Sequence, residues 1–197
     1  MIKTFIFFGA IILQSFLVTA EEKNKPESSA EESKHPVVII KTNFGPIVVK
    51  LDAEKAPITV KNFLSYVKES YYDSTIFHRV IQNFMIQGGG FTVNFTEKPT
   101  KLAIKNEAAN GLKNKRGTIA MARKNVNINS ATCQFFINHK DNDFLDHKDN
   151  TLKGYGYAVF GEVIMGMEVV DIIAAVPTSP QDVPLKTVVI ETIMLNE

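Results

Sequence analysis

Ile76-Phe77-His78-Arg79-Val80-Ile81-Gln82-Asn83-Phe84-Met85-Ile86-Gln87-Gly88-Gly89-Gly90-Phe91-Thr92 is the stretch on which the reading of the whole chain turns. Its first six residues alternate as a strand does. Ile76, His78 and Val80 then face one side and Phe77, Arg79 and Ile81 the other, so a guanidinium projects from apolar company. A lone arginine in that setting ordinarily snorkels to water from an edge strand. Here the chain continues with Phe84, Met85 and Gln87 as a second short strand, and three glycines that permit a tight turn resisted by residues with a Cβ. The residues alone thus predict a groove lined by Phe84 and Met85, in which Arg79 and Gln87 are the few placed polar groups typical of a ligand site.

A second block lies downstream: Gly117-Thr118-Ile119-Ala120-Met121-Ala122-Arg123, then Ala131-Thr132-Cys133-Gln134-Phe135-Phe136-Ile137-Asn138. Alternation from Gln134 to Ile137 puts Gln134 and Phe136 on one face and Phe135 and Ile137 on the other, so one face is free to build a groove while the other fills a core. Phe-His-Arg-Val-Ile followed by Phe-Met-Ile-Gln-Gly-Gly, with this second block in the right order, resembles the cyclophilins, a family of peptidyl-prolyl cis-trans isomerases. The resemblance covers about Pro36 to Glu197.

The resemblance implies a mainly β fold: a closed eight-stranded antiparallel barrel capped by two α-helices. It implies that Arg79 is the catalytic residue and that Phe84, Met85, Gln87, Ala122, Gln134, Phe136, Phe144, Leu145 and Tyr157 bind substrate. It implies no metal and no cofactor. Phe144 stands where the best-known eukaryotic members carry Trp, and Tyr157 where they carry His; both replacements are familiar in bacterial cyclophilins. The drug cyclosporin is therefore expected to bind weakly. Gly90 and Gln82-Asn83 also depart from the commoner pattern, at positions read as turns.

The remainder of the chain is consistent with such a domain. Its 197 residues are 45% hydrophobic and 22% charged with a formal net charge of +1, which describes one globular domain with enough chain for a full core. The charges are interspersed, so no basic stripe proposes nucleic acid as a partner. Lys3, the apolar run from Phe5 to Val18 and the small residue at Ala20 read as a signal peptide over residues 1–20, cut after Ala20. An uncleaved anchor is the alternative, although the run falls short of the roughly 20 apolar residues that span a bilayer comfortably. Residues 21–35, rich in Glu, Lys and Ser, read as a flexible polar tether, and 36–197 as the isomerase domain. The protein is expected to be exported, and periplasmic if bacterial, with no stable membrane insertion after cleavage. It is expected to be a monomer acting on proline-containing unfolded or partly folded polypeptides. Cys133 is the only cysteine, so no intramolecular disulfide forms; a small, half-buried residue is expected there.

The elements follow from periodicity. Val37–Ile40 and Ile47–Leu51 flank a hairpin signal. After Pro57, Val60, Phe63, Leu64 and Val67 fall at i, i+3, i+4 and i+7, the stripe of an amphipathic helix. Thr118–Ala122, Gln134–Asn138, Tyr157–Val163 and Thr187–Leu195 read as further short strands. A second helix follows Met167, with Val169, Ile172, Ile173 and Val176 as its stronger apolar face, and Pro177 and Pro180 ending it. His78, His139 and His147 lack zinc-ligand spacing. No nucleophile elbow or phosphate loop is present, and the rival to a rotational catalyst is a module that holds exposed chains without turnover.

Overall fold

The computed structural model describes Met1 and residues 34–196; the expected signal peptide and most of the expected tether lie outside the described residues. Residues 34–196 belong to one compact unit. The last two residues assigned to the tether are fastened to it: Lys34 pairs with Glu54 at 2.9 Å, its carbonyl accepts the Ala53 N–H, and His35 lies 3.6 Å from Glu54.

Among the described residues, eight strands run β1 Val37–Thr42, β2 Gly45–Leu51, β3 Thr75–Ile81, β4 Met85–Thr92, β5 Thr118–Met121, β6 Phe135–Asn138, β7 Val159–Met165 and β8 Val189–Leu195. They close into an antiparallel barrel in the order β1-β2-β7-β5-β6-β4-β3-β8, with β8 pairing back onto β1. Closure leaves no edge to protect and gives each strand an inward and an outward face. Val38, Ile40, Ile47, Val49, Phe135, Ile137 and Phe160 point inward and are buried. Strand boundaries lie within two residues of those expected except in β4, which runs on through the three glycines to Thr92.

Helix α1, Pro57–Lys68, buries Val60, Phe63, Leu64 and Val67 as the periodicity predicts, and Phe63 sits against Tyr72, Phe135 and Phe160 at ring distances of 5.2–5.7 Å. Pro57 starts the helix where its missing N–H costs nothing. The exposed N–H groups of the first turn are instead met from far along the chain: the Glu107 carboxylate accepts the N–H groups of Ile58 (3.1 Å) and Thr59 (2.7 Å) and the Thr59 hydroxyl. A negative charge at a helix N-terminus also suits the helix dipole.

Helix α2, Met167–Ala174, corrects the expected face. Val169, Val170, Ile173 and Ala174 enter the core, whereas Ile172 is 53% exposed and Val176 lies beyond the helix. The helix is only two turns long and its docking onto the barrel, not its most hydrophobic stripe, sets its rotation.

Two further expectations fail in the stretch that opened the chain's reading. Gly88, Gly89 and Gly90 make no tight turn; they lie within β4. Each lacks room for a side chain: a Cβ on Gly88 would lie 2.7 Å from the Ile76 carbonyl oxygen on β3, one on Gly89, which has φ +85°, would lie 2.9 Å from the Phe135 and Tyr72 rings, and one on Gly90 would lie 2.6 Å from the Gln134 side chain. The simple alternation through β3 also breaks. The pairs Phe77↔Gly88 and Arg79↔Gln87 oppose two steps on β3 to one on β4, so His78 is the extra residue of a bulge. Phe77 and Val80 both enter the barrel core, while Arg79 and Ile81 face out.

The bulge leaves His78 half-buried against Phe91 (4.7 Å between rings), with Nδ1 lacking a hydrogen-bond partner among the described residues. Burial, aided by the neighbouring Arg79 charge, pushes the imidazole down to about 4. Between that value and the ordinary 6.5 of an unfolded histidine, the unfolded chain binds more protons than the folded one. Stability should therefore fall as pH drops from about 6.5 to about 4. Urea midpoints across that window test it, and His78→Gln should flatten part of the slope; equal slopes in the two proteins would remove His78 as a cause.

Cys133 is more buried than expected, at 1% exposure. The Tyr71 hydroxyl approaches its sulfur at 3.4 Å and the Tyr72 hydroxyl donates to its carbonyl at 2.9 Å. Burial pushes the thiol up, which leaves it protonated and unreactive.

Candidate active site

The outward faces of four adjacent strands build one surface. Arg79 on β3 pairs with Gln87 on β4, Gln87 with Phe136 on β6, and Phe136 with Ala120 on β5. Neighbouring strands are about 4.8 Å apart, so this register sets the backbones of Arg79 and Phe136 roughly 10 Å apart across a single row. Beneath the row, Met85, Ala120, Phe136, Leu145 and Val159 form a second apolar cluster separate from the barrel core, with Phe84, Ala122 and Tyr157 packed against it. Phe136 thus belongs to the groove while Phe135 and Ile137 belong to the barrel, as the alternation predicts.

A cleft of about 170 Å³ opens over this cluster. It is lined by Arg79, Phe84, Met85, Gln87, Ala122, Phe136, Leu145 and Tyr157, eight of the ten residues expected at the site, together with Arg123 and Asn125. Gln134 lines an adjoining depression that shares Gln87, Ala122 and Arg123 with the cleft. Its Oε1 accepts a hydrogen bond from Gln87 Nε2 at 3.0 Å, and its carbonyl accepts the Ala122 N–H at 2.9 Å. Phe144 lies at the rim, 61% exposed, with its ring stacked on Phe84 at 5.6 Å. All ten expected residues therefore gather in one region.

Three residues were not anticipated. Asp182, in the segment between α2 and β8, accepts a hydrogen bond from Arg79 Nε at 3.3 Å, and its carbonyl accepts the Val80 N–H at 2.8 Å. The pair is 43% and 39% exposed, so its attraction is largely screened and its effect is orientation. Held through Nε, the guanidinium keeps its two terminal nitrogens for the cleft. Arg123 donates from Nε to the Gly156 carbonyl at 2.9 Å and sits over the Tyr157 ring at 4.8 Å. Asn125 accepts the Tyr157 hydroxyl at 3.0 Å. Only Arg123 carried a local signal, its place at the end of the second block; Asp182 is 103 residues from its partner.

The wall opposite Arg79 is supported by buried amides. Asp146 Oδ1 accepts both the backbone N–H and the side-chain amide of Asn114, Asn114 Oδ1 accepts from Asn138, and Asn138 Oδ1 accepts from Asn142. Asn142 also donates to the Phe84 carbonyl at 2.9 Å. This chain ties the short 3₁₀ turn Asp143–Leu145 to the strand end that carries Phe84, so two walls of the cleft share one scaffold. Asp146 is a buried acceptor, 8% exposed.

Rigid apolar walls, a placed guanidinium and amides that accept and donate suit an extended peptide with a compact apolar ring. The family description "Cyclophilin type peptidyl-prolyl cis-trans isomerase/CLD" matches residues 37–195. The chain is 55% identical over 165 residues to peptidyl-prolyl cis-trans isomerase B of Escherichia coli, covering 82% of this chain and all of the relative. It is 55% identical to a peptidyl-prolyl cis-trans isomerase of Acinetobacter baylyi, covering 85% of this chain and 89% of that one. Among solved structures it is similar to a cyclophilin type peptidyl-prolyl cis-trans isomerase of Cryptosporidium parvum, with a TM-score of 0.69 and 27% identity over 83% of this chain and 98% of the other.

Proposed function

The chain belongs to the cyclophilin-type peptidyl-prolyl cis-trans isomerases, and from that premise we propose that it accelerates X-Pro isomerisation in exported proteins, with Arg79 as its catalytic residue. That it is an isomerase follows from the family; its mechanism, clients and location are the proposal.

Rotation about an X-Pro bond meets a barrier of roughly 20 kcal/mol, because the amide has partial double-bond character. No bond need break. The catalyst has only to favour the twisted state, in which conjugation is lost and the proline nitrogen becomes pyramidal and a better acceptor. Arg79 donates to that nitrogen, or to the neighbouring carbonyl as it swings. A donor aimed at a charge distribution present only in the transition state raises rate rather than mere affinity. Five decades of acceleration require about 7 kcal/mol of such selectivity.

In this reading Phe84, Met85, Phe136 and Leu145 hold the pyrrolidine ring, Tyr157 and Phe144 close the rim, and Gln87, Gln134 and the backbone after Ala122 hold the peptide on the other side. One half of the substrate is anchored and the other turns. The observation that carries the reading is the register row Arg79–Gln87–Phe136, which faces a cationic donor across a narrow span to an apolar floor.

Export rests on the composition of residues 1–20. No helix among the described residues is long and apolar enough to cross a membrane. The mature protein is expected to begin near Glu21, to be recovered from the exported fraction as a soluble monomer, and to speed the slow refolding phase of a client limited by proline isomerisation. Intact mass and N-terminal sequencing of the cellular protein decide the first point, and refolding kinetics the last. Retention of residues 1–20 in a membrane fraction would replace the secreted reading with an anchored one, and binding of clients without faster refolding would make the protein a holder.

A further inference from the structure

We propose that His139 is a positioning residue for the pocket wall, holding in place the turn Ile81–Phe84 that delivers Phe84 and Met85 to the cleft. The proposal rests on the reading of those two side chains as the wall against which proline packs.

Three contacts carry it. The turn closes with the Phe84 N–H donating to the Ile81 carbonyl at 3.1 Å, which puts Asn83 in the left-handed region at φ 58° with its own N–H turned outward. That N–H donates to His139 Nδ1 at 3.0 Å. The backbone N–H of His139 in turn donates to the Phe84 carbonyl at 2.9 Å. One residue therefore grips the turn on both sides of the Asn83–Phe84 peptide. It does so from the position immediately after β6, the strand that supplies Phe136.

The ring is itself fixed. Its side chain is 13% exposed, and Nε2 lies 3.0 Å from Asp171 Oδ1 on α2. Arg116 completes the set, donating from Nη1 to the His139 carbonyl at 2.7 Å and from Nη2 to Asp171 Oδ2 at 2.9 Å. The Arg116 guanidinium, with His139 adding less, holds the Asp171 carboxyl below the usual range, so it stays ionised. The charged groups facing the imidazole are thus Asp171 and Arg116; Asp141 and Lys115 lie one contact further out through Arg116. Gln82 and Asn83, on the turn, do not titrate.

A backbone N–H can only donate, so Nδ1 must be bare and the imidazole proton must sit on Nε2, toward Asp171. A doubly protonated ring has no acceptor left. Its Nδ1–H would confront the Asn83 N–H across 3.0 Å, and the turn would lose that hydrogen bond while Asp171 gained a full ion pair. Loss of the acceptor at Nδ1 would therefore free the pocket wall without breaking the barrel.

The test is KM and kcat for a short X-Pro peptide, read by NMR exchange so that no coupling protease is needed, with folding checked by circular dichroism. His139→Leu removes the acceptor that meets the Asn83 N–H; KM should rise about fivefold, the weight of one neutral hydrogen bond, with kcat changing less. His139→Asn offers an amide oxygen near the place of Nδ1 and should keep the native KM. A native KM in the Leu variant, or a KM raised as much in the Asn variant as in the Leu variant, overturns the proposal; if the Leu variant fails to fold, His139→Ala is read in its place. Phe84→Ala separates the premise: if it leaves KM unchanged the pocket reading itself is wrong, and if it raises KM while the His139 variants behave as native, only the role of His139 falls.

Discussion

Arg79→Ala should lower kcat/KM by at least a hundredfold, about 2.7 kcal/mol of transition-state stabilisation, while the domain stays folded. The fold does not depend on the side chain. Its side chain is 43% exposed, its one charged partner among the described residues is the half-exposed Asp182, and the barrel core at this point is made by Phe77 and Val80. In the proposed mechanism, what disappears is a donor whose interaction is worth most when the amide has twisted. Arg79→Lys should also be poor, since an ammonium cannot be oriented by Asp182 through one nitrogen while presenting two others in a planar fork. Isomerisation kinetics beside urea denaturation of the same variants check both points. Near-native turnover by the Ala variant would end the proposed mechanism, and a lowered unfolding midpoint would mean that the loss reports structure.

Phe144→Trp should tighten inhibition by cyclosporin at least tenfold, with kcat/KM for short peptides changed much less. Sensitive cyclophilins carry at this position a Trp whose indole N–H can donate to the drug's backbone; a phenyl ring fills part of the same space and has no donor. The drug's carbonyl is then desolvated without a partner, which costs about 1–3 kcal/mol, or roughly tenfold to more than a hundredfold in Kd. The rim position favours the experiment. Phe144 is largely exposed and lies flat on Phe84, so a larger ring extends into solvent rather than into the apolar cluster. Proline itself would seat deeper, against Phe84, Met85 and Phe136. Inhibition titrations on both proteins decide. Strong inhibition of the native enzyme, or a Phe144→Trp variant no more sensitive than native, would show that Phe144 does not meet the drug.

Much of this site is legible in the chain because its parts are local. Gln134-Phe135-Phe136-Ile137 alternates without interruption, so period-two geometry separated Phe136 from its neighbours, and the resemblance assigned its face to the groove. The same rule misplaced Phe77 relative to Arg79, because the bulge at His78 is a property of the pair of strands. The three glycines were read as freedom to turn; their use is absence of bulk where β3, the Phe135 and Tyr72 rings and the Gln134 side chain approach closely. In α2 the stripe with Ile172 is the more hydrophobic by sequence, yet packing chose Val169, Val170, Ile173 and Ala174.

What the sequence by itself determined is the mainly β class, which follows from periodicities of a few residues, and, through its resemblance to the cyclophilins, the family and the ten residues that gather in and around the cleft. Tertiary structure alone decided how they are held. Asp182 reaches Arg79 from 103 positions away, Glu107 caps α1 from 48 and 49 away, and His139 meets Asn83 across 56. Such contacts join polar groups of common types, and no local pattern marks them. They exist because closing the barrel brings distant segments to the same rim, where each backbone N–H or charged group left over by the strands must find a partner.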